Sequence, residues 1–214
     1  MFPTLYAILD DSLVPAGEPA RWCELAATLA ASGCTLIQIR AKNADARAQL
    51  EIATQLVRRF HSNETRIIVN DRADVALLSG AGGVHVGQQD LGVEQARAIC
   101  GAPMWIGVST HTLEQVRAAE STSADYIAFG PIFPTTTKSR PDALVGVEGL
   151  RAARALTRKP LVAIGGITLD RAPELYRAGA DSLAVVSDLF RAGNPAARAK
   201  QYLAIAAATI GAAR

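Results

Sequence analysis

The chain has 214 residues, half of them hydrophobic and 20% charged, with a formal net charge of +2. Such a balance describes a globular protein with a sizeable core. The charge is too mild to argue for a nucleic-acid or anionic-membrane surface, and it leaves room for a local basic site that takes a small anion.

The first apolar run, Leu5–Leu9, is predicted as a strand. Arg21–Ala31 follows with Trp22, Leu25, Ala26 and Leu29 at helical spacing. The second strand, Leu36–Arg40, carries Gln38, Arg40 and, just beyond its end, Lys42. Alternation points these three the same way. Two cations side by side repel one another unless an anion such as a diphosphate lies between them. Solvated loop charges are the plain alternative. A helix over Leu50–Phe60 is predicted from Leu50, Ala53, Leu56, Val57 and Phe60.

The third strand, Ile67–Asn70, runs into Asp71, with Asp74 one helical turn on. The fourth, Gly83–Val86, runs through His85 and on to Gly87, Gln88, Gln89 and Asp90. Asp71 and Asp90 therefore stand at the ends of neighbouring strands. Two carboxylates with amide oxygens nearby suit Mg2+. Spacing alone fits equally well a plain helix cap by Asp71 ahead of Arg72.

The fifth strand, Trp105–Ser109, ends in Ser109, Thr110 and His111. The two hydroxyls fit a helix N-cap ahead of Leu113 at least as well as catalysis, and a lone histidine is weak evidence of chemistry. After the sixth strand, Tyr126–Phe129, comes GPIFPTTTKS. Its prolines stiffen it, and its threonines and Lys138 make it an anion-binding or lid loop. The seventh strand, Leu161–Ile164, ends in Gly165 and Gly166. The eighth, Ser182–Val186, leads to Ser187, with a further helix expected from Asp188. Paired glycines and helix N-termini there suit a phosphate group.

A phrase recurs along the chain, in which a helix closes on a small residue and a strand follows at once: ASGCTLIQIR, SGAGGVHVG, STSADYIAFG and AGADSLAVVS. Eight strands with eight helices predict a (β/α)8 barrel, one domain over residues 1–214, with its chemistry at the C-terminal strand ends. The competing fold is a doubly wound open sheet, against which no GxGxxG follows the first strand.

Cys23, Cys34 and Cys100 have neither an even count nor CxxC spacing, so they read as buried small residues. The N-terminus lacks a basic signal-type region. The apolar stretch LAIAAATIGAA is about half the length of a membrane span and reads as a final amphipathic helix. A cytoplasmic location follows as an expectation, with small-molecule partners, neither nucleic acid nor membrane, and a homo-oligomer left open.

Bottom-up, the strand ends give two anion sites sharing one mouth. One gathers Arg40, Lys42 and Lys138 with a metal. The other uses backbone N–H groups at Gly166 and Ser187. Two anionic substrates meeting over a metal suggest transfer from a diphosphate to an acceptor carrying a monophosphate.

The segments QIRAK, IIVNDRADVALLSGAGGVHVGQQDL, IGVSTHTLEQV, ADYIAFGPIFPTTTK, VAIGGI and AVVS together resemble the thiamine phosphate synthase family. The resemblance spans roughly Leu5 to Pro195. It implies a (β/α)8 barrel that joins 4-amino-2-methyl-5-pyrimidinylmethyl diphosphate to 4-methyl-5-(2-phosphoethyl)thiazole, releasing pyrophosphate. It further implies that Gln38, Arg40, Lys42, Asn70, Ser109 and Lys138 hold the pyrimidine diphosphate, with Arg40, Lys42, Ser109 and Lys138 acting on the reacting group. By the same resemblance Asp71 and Asp90 ligate Mg2+, Thr135 and Thr137 contact the thiazole phosphate, and Gly166, Val186 and Ser187 form the phosphate cup. After Lys138 the chain reads SRPDAL, where many relatives place an acid sooner; Asp142 is the candidate for that role. Two alternatives stand beside this reading. The sister family of thiazole tautomerases uses a histidine that His111 could match, but has no use for the diphosphate and metal set. A silent precursor-binding barrel would not need the carboxylate pair.

Overall fold

The computed structural model describes residues 1–15, 17–60, 64–135, 143–191 and 193–211. Eight parallel strands close into a barrel in sequence order. They are β1 (Leu5–Asp10), β2 (Leu36–Arg40), β3 (Arg66–Asn70), β4 (Gly83–Val86), β5 (Trp105–Thr110), β6 (Tyr126–Phe129), β7 (Leu161–Ile164) and β8 (Ser182–Val185). β1 pairs with both β2 and β8, which leaves no open edge. The (β/α)8 reading of the sequence is therefore the architecture of the protein.

The helices form the outer layer: α1 (Pro19–Ala31), α2 (Ala46–Phe60), α3 (Ala73–Ser79), α4 (Val93–Cys100), α5 (Leu113–Glu120), α6 (Gly146–Leu156), α7 (Ala172–Arg177), α8 (Ser187–Arg191) and α9 (Pro195–Gly211). α1 starts before the predicted Arg21 because Pro19 fits the first helical turn, where its missing N–H is no loss. α2 starts four residues before the predicted Leu50. The Asp45 carboxylate accepts the Ala48 N–H at 2.8 Å, a capping signal the hydrophobic spacing could not show. α9 packs on α1, α7 and α8 with Ala199, Tyr202 and Ala206 buried. Among the described residues no helix is long and apolar enough to cross a membrane. Cys34 and Cys100 are buried and Cys23 is half-buried, all as free thiols.

Strand alternation divides the core in two. Leu5, Ala7 and Leu9 of β1 point outward to the helices, in one large cluster with Ile37, Ile39, Ile67 and Val69. Tyr6 and Ile8 point inward and join Leu36, Ile68, Tyr126, Ala128, Val162 and Ala184 in the barrel interior. Extending this period of two upward fixes the residues that meet the C-terminal mouth: Gln38 and Arg40 on β2, Asn70 on β3, His85 on β4, Ser109 on β5 and Ile164 on β7. The tight αβ turns take two forms. Gly80 closes α3 in the left-handed conformation at φ 70°, whereas the glycine-free phrase STSAD closes α5 with Ser121 in the ordinary right-handed region.

Candidate active site

The C-terminal mouth holds a cavity with about 960 Å³ of empty space, its open entrance included. Its floor and walls are Tyr6, Ile8, Gln38, Arg40, Asn70, His85, Ser109, His111, Ala128, Ile164 and Ala184. Gly130, Pro131, Thr135, Gly165, Gly166, Ile167, Val186 and Ser187 complete it from the loops after β6, β7 and β8. A polar-and-apolar cavity of this size accommodates small-molecule substrates.

One side of the rim carries the charges. Arg40 projects from the end of β2 and pairs with Asp10 of β1, its register partner across the two strands. Asp10 is only 1% exposed, and its other oxygen accepts from the Ser12 N–H at 3.0 Å and the Ser12 hydroxyl at 2.5 Å. A buried carboxylate with all of these donors fixes the guanidinium in place. Beyond the strand end Lys42 Nζ lies 2.9 Å from Asp71 Oδ2. Each of the two cations thus has a carboxylate partner within the chain. Asp10, which makes that arrangement for Arg40, is the residue that sequence reasoning missed.

Asp71 does not cap the following helix. α3 begins at Ala73, and its N-cap position is Arg72, which has no side-chain capping bond. Asp71 instead adopts the left-handed backbone at φ 62°, uncommon outside glycine, while its N–H reaches the His85 carbonyl at 2.7 Å. Asp90 folds back so that its Oδ2 accepts the Gly87 N–H at 2.7 Å. A Cβ at Gly87 would sit 2.9 Å from that same oxygen, so the glycine lets the carboxylate come this close. The Asp90 carboxyl is pushed above the ordinary range, first by burial and then by the neighbouring Asp71 carboxylate; Lys42 works against this. Asp71, Asp90 and Lys42 are therefore one cluster. Two carboxylates held together against their own repulsion are an oxygen-donor set fitted to a hard divalent cation. Among the described residues no group of three or more His, Cys, Asp or Glu gathers for a metal.

The opposite side of the mouth is built from backbone. Gly165 and Gly166 have φ values of 100° and 62°. Side chains there would also collide with the preceding loop: a Cβ on Gly165 would lie 2.6 Å from Pro131, and one on Gly166 would lie 2.4 Å from the Pro134 carbonyl. The Ile132 and Phe133 N–H groups extend the strand pairing onto Ile164 and Gly165 at 2.9 and 3.1 Å. The glycine pair thus seats the β6 loop as well as lining the cavity. Val186 falls one residue past the end of β8, and Ser187 opens the five-residue helix α8.

The hydroxyls after β5 divide their roles differently from the expected cap. Thr112, not Ser109 or Thr110, caps α5 by accepting the Gln115 N–H at 3.2 Å. Thr110 faces outward and donates to the Ala128 carbonyl at 2.9 Å. Ser109 faces the cavity, 2.9 Å from His85 Nε2. His111 lines the cavity with Nδ1 2.5 Å from the Gly130 carbonyl. Of the sequence candidates, Gln38, Arg40, Asn70, Ser109, Thr135, Gly166, Val186 and Ser187 line one cavity, with Lys42, Asp71 and Asp90 clustered through Lys42 at the end of β2. Thr137, Lys138 and Asp142 lie outside the described residues.

A closed parallel barrel, with paired cations and carboxylates on one side of its C-terminal mouth and glycine-rich backbone on the other, defines a class. It is a (β/α)8-barrel enzyme built to handle phosphorylated small molecules. The family follows from comparison: the thiamine monophosphate synthase family matches residues 5–189, and the chain belongs to it. A thiamine-phosphate synthase of Koribacter versatilis is 47% identical over 204 residues, 95% of each chain. One of Chloroflexus aurantiacus is 44% identical over 177 residues, covering 83% of this chain and 82% of that one. The solved thiamine phosphate pyrophosphorylase of Pyrococcus furiosus superposes with a TM-score of 0.83 at 35% identity, covering 97% of this chain and 96% of that one.

Proposed function

We propose that this chain is a transferase joining 4-amino-2-methyl-5-pyrimidinylmethyl diphosphate to 4-methyl-5-(2-phosphoethyl)thiazole, giving thiamine phosphate and pyrophosphate. The observation that carries the reading is the pairing of Arg40 with Asp10 and of Lys42 with Asp71 and Asp90, at the same mouth that Gly166, Val186 and Ser187 line. The first group suits a diphosphate and the second a monophosphate handle.

In this reading Gln38, Asn70 and Ser109 hold the pyrimidine, while Arg40, Lys42 and Lys138 take the diphosphate. Thr135 and Thr137 meet the thiazole phosphate, together with Gly166, Val186 and Ser187. Asp71 and Asp90 would hold Mg2+, which when bound adds positive charge where the leaving group gains negative charge. The bond from the methylene carbon to the diphosphate oxygen breaks, and its electron pair leaves with pyrophosphate. The aminopyrimidine ring stabilises the resulting cation. The thiazole nitrogen lone pair then forms the new C–N bond. No proton has to be removed and no side-chain nucleophile is needed, so the site's work is charge stabilisation and alignment. The reaction takes place in the cytoplasm on small molecules alone.

The second reading, a thiazole tautomerase, is favoured by His111 in the cavity wall. Against it, a reaction on one monophosphate leaves the Lys42–Asp71–Asp90 cluster without a purpose. Incubation of the protein with both substrates and Mg2+ should yield thiamine phosphate and pyrophosphate. Folded protein that makes neither overturns the synthase reading. His111→Ala should keep most of the synthase turnover, and its abolition would favour a histidine-dependent reaction.

A further inference from the structure

Across the cavity floor runs a polar chain of which the reaction above uses only the two ends, Gln38 and Ser109. Gln38 Nε2 donates to the Tyr6 hydroxyl at 2.7 Å. The Tyr6 and Tyr126 hydroxyls are 2.8 Å apart, the Tyr126 hydroxyl lies 3.1 Å from His85 Nδ1, and His85 Nε2 lies 2.9 Å from Ser109 Oγ. The chain links the β2 wall to the β5 wall through the middle of the barrel. Gln38, Tyr6, His85 and Tyr126 are 3%, 1%, 6% and 0% exposed, so water does not compete for these bonds.

The geometry shows a chain built to hold its shape. Tyr126 stacks on the His85 ring at 5.5 Å and meets the Tyr6 ring edge-on at 5.8 Å. Gly107 makes the space for it. A Cβ there would fall 2.0 Å from Tyr126 Cζ and 2.5 Å from His85 Nδ1.

A hydrogen-bonded chain of single-proton groups has a direction, and each bond sets the next. Tyr6 accepts from the Gln38 amide, so its own proton goes to Tyr126. Tyr126 then gives its proton to His85 Nδ1, which must be unprotonated. A neutral imidazole with a bare Nδ1 carries its proton on Nε2. That proton goes to Ser109 Oγ, which leaves the Ser109 proton to point into the cavity. At the other end the amide has given its N–H to Tyr6, which leaves Gln38 Oε1 as an acceptor. An imidazolium would orphan the Tyr126 proton, and the reverse direction requires the Gln38 amide turned over.

We propose that Tyr6, Tyr126 and His85 are positioning residues that fix Gln38 as an acceptor and Ser109 as a donor, so that the cavity selects a pyrimidine edge pairing an amino group with a bare ring nitrogen. The 4-oxo analogue reverses both features, with a carbonyl in place of the amine and a proton on the adjacent nitrogen. It would face Gln38 Oε1 oxygen to oxygen and the Ser109 proton with another proton. Sites built on such polar complementarity reject the mismatched analogue far more strongly than sites built on shape. The selectivity part rests on the synthase reading; the direction of the chain does not.

Two measurements test it. In the substrate-free protein with 15N-labelled histidine, the His85 signals, identified by their loss in His85→Gln, should show Nε2 protonated and Nδ1 bare. A protonated Nδ1 overturns the proposal, whether or not the protein makes thiamine phosphate. In the active enzyme, Tyr126→Phe keeps the ring and cuts the chain. It should lower kcat/KM for the amino substrate by about tenfold and shrink the preference for amino over 4-oxo diphosphate by about the same factor. The His85 ring should then become a mixture of tautomers. An unchanged preference in a Tyr126→Phe protein that melts like the parent overturns the positioning role. Failure of the parent itself to make thiamine phosphate counts against the synthase reading instead.

Discussion

The two mouths of this barrel are made of the same ingredients, basic side chains and carboxylates, put to opposite uses. At the N-terminal mouth Arg97 donates to the carbonyls of Gly101, Met104 and Ser123 at 2.9, 2.6 and 3.0 Å and pairs with Asp125 at 2.6 Å. Asp125 in turn accepts the Ile106 N–H at 2.7 Å. Two βα units on, Arg154 repeats the device, pairing with Asp181 at 2.7 Å while Asp181 accepts the Leu161 N–H at 2.8 Å. These charges sew loops to strands and are consumed in doing so. At the C-terminal mouth, two carboxylates share one cation instead: Asp71 sits beside Asp90, with Lys42 2.9 Å from Asp71. The carboxyl shifts follow. Glu120, at the N-terminal mouth, is held below the ordinary range by the Thr157 hydroxyl, whereas Asp90 is pushed above it. One mouth lowers the free energy of the fold, and the other holds groups that need a ligand to balance them.

The contrast breaks most sharply at Asp90. Asp90→Ala should lower turnover by about 10²–10³-fold and abolish its dependence on Mg2+, with little change in melting temperature. Near-normal turnover in a magnesium titration would remove Asp90 from the metal site. Gly107→Ala, in the layer below the cavity, should do both kinds of damage. Overpacking against Tyr126 should destabilise the protein by about 3 kcal/mol and weaken activity, read by denaturant unfolding beside kinetics. Arg154→Ala should be a stability variant only, losing about 1–2 kcal/mol because the Lys159 carbonyl and the Asp181 carboxylate lose their donor. The folded fraction should turn over as the parent does; reduced kcat would mean the mouths are coupled. The smallest effect is in acid. A carboxyl whose folded pKa lies below its unfolded value contributes stability above the unfolded value and loses it as the pH falls through the folded one. Glu120 is of that kind, with an ordinary value of 4.5. Glu120→Gln should therefore flatten the loss of melting temperature below about pH 4.5, and an unchanged acid profile would discount the Thr157 contact.

How much was legible follows the same division. The barrel could be read because buried parallel strands are short apolar runs, and β2, β4, β6 and β7 fall at the predicted residues. The mouth could be read in part because alternation carries Gln38 and Arg40 to the same face, and strand order puts Asp71 near Asp90. What stayed hidden depends on contacts between elements. Asp10 lay just past the predicted strand Leu5–Leu9, and only its register opposite Arg40 gives it a part in the site. Asp71 fitted a helix cap as well as a metal ligand until its backbone proved left-handed and the cap position fell to Arg72. His85 was read only as a residue of the fourth strand, and the bulk of Tyr126 over Gly107 turns it into part of a chain. Gly166 was read as an anion cradle, and its second duty, seating the loop after β6, needs the position of Pro134.

The measurement that tests the account most directly is phosphorus NMR of the protein with both substrates, with and without Mg2+. Thiamine phosphate and pyrophosphate should appear together in equal amounts, only when Mg2+ is present. Pyrophosphate released without thiamine phosphate, or conversion of the thiazole phosphate alone, would contradict it.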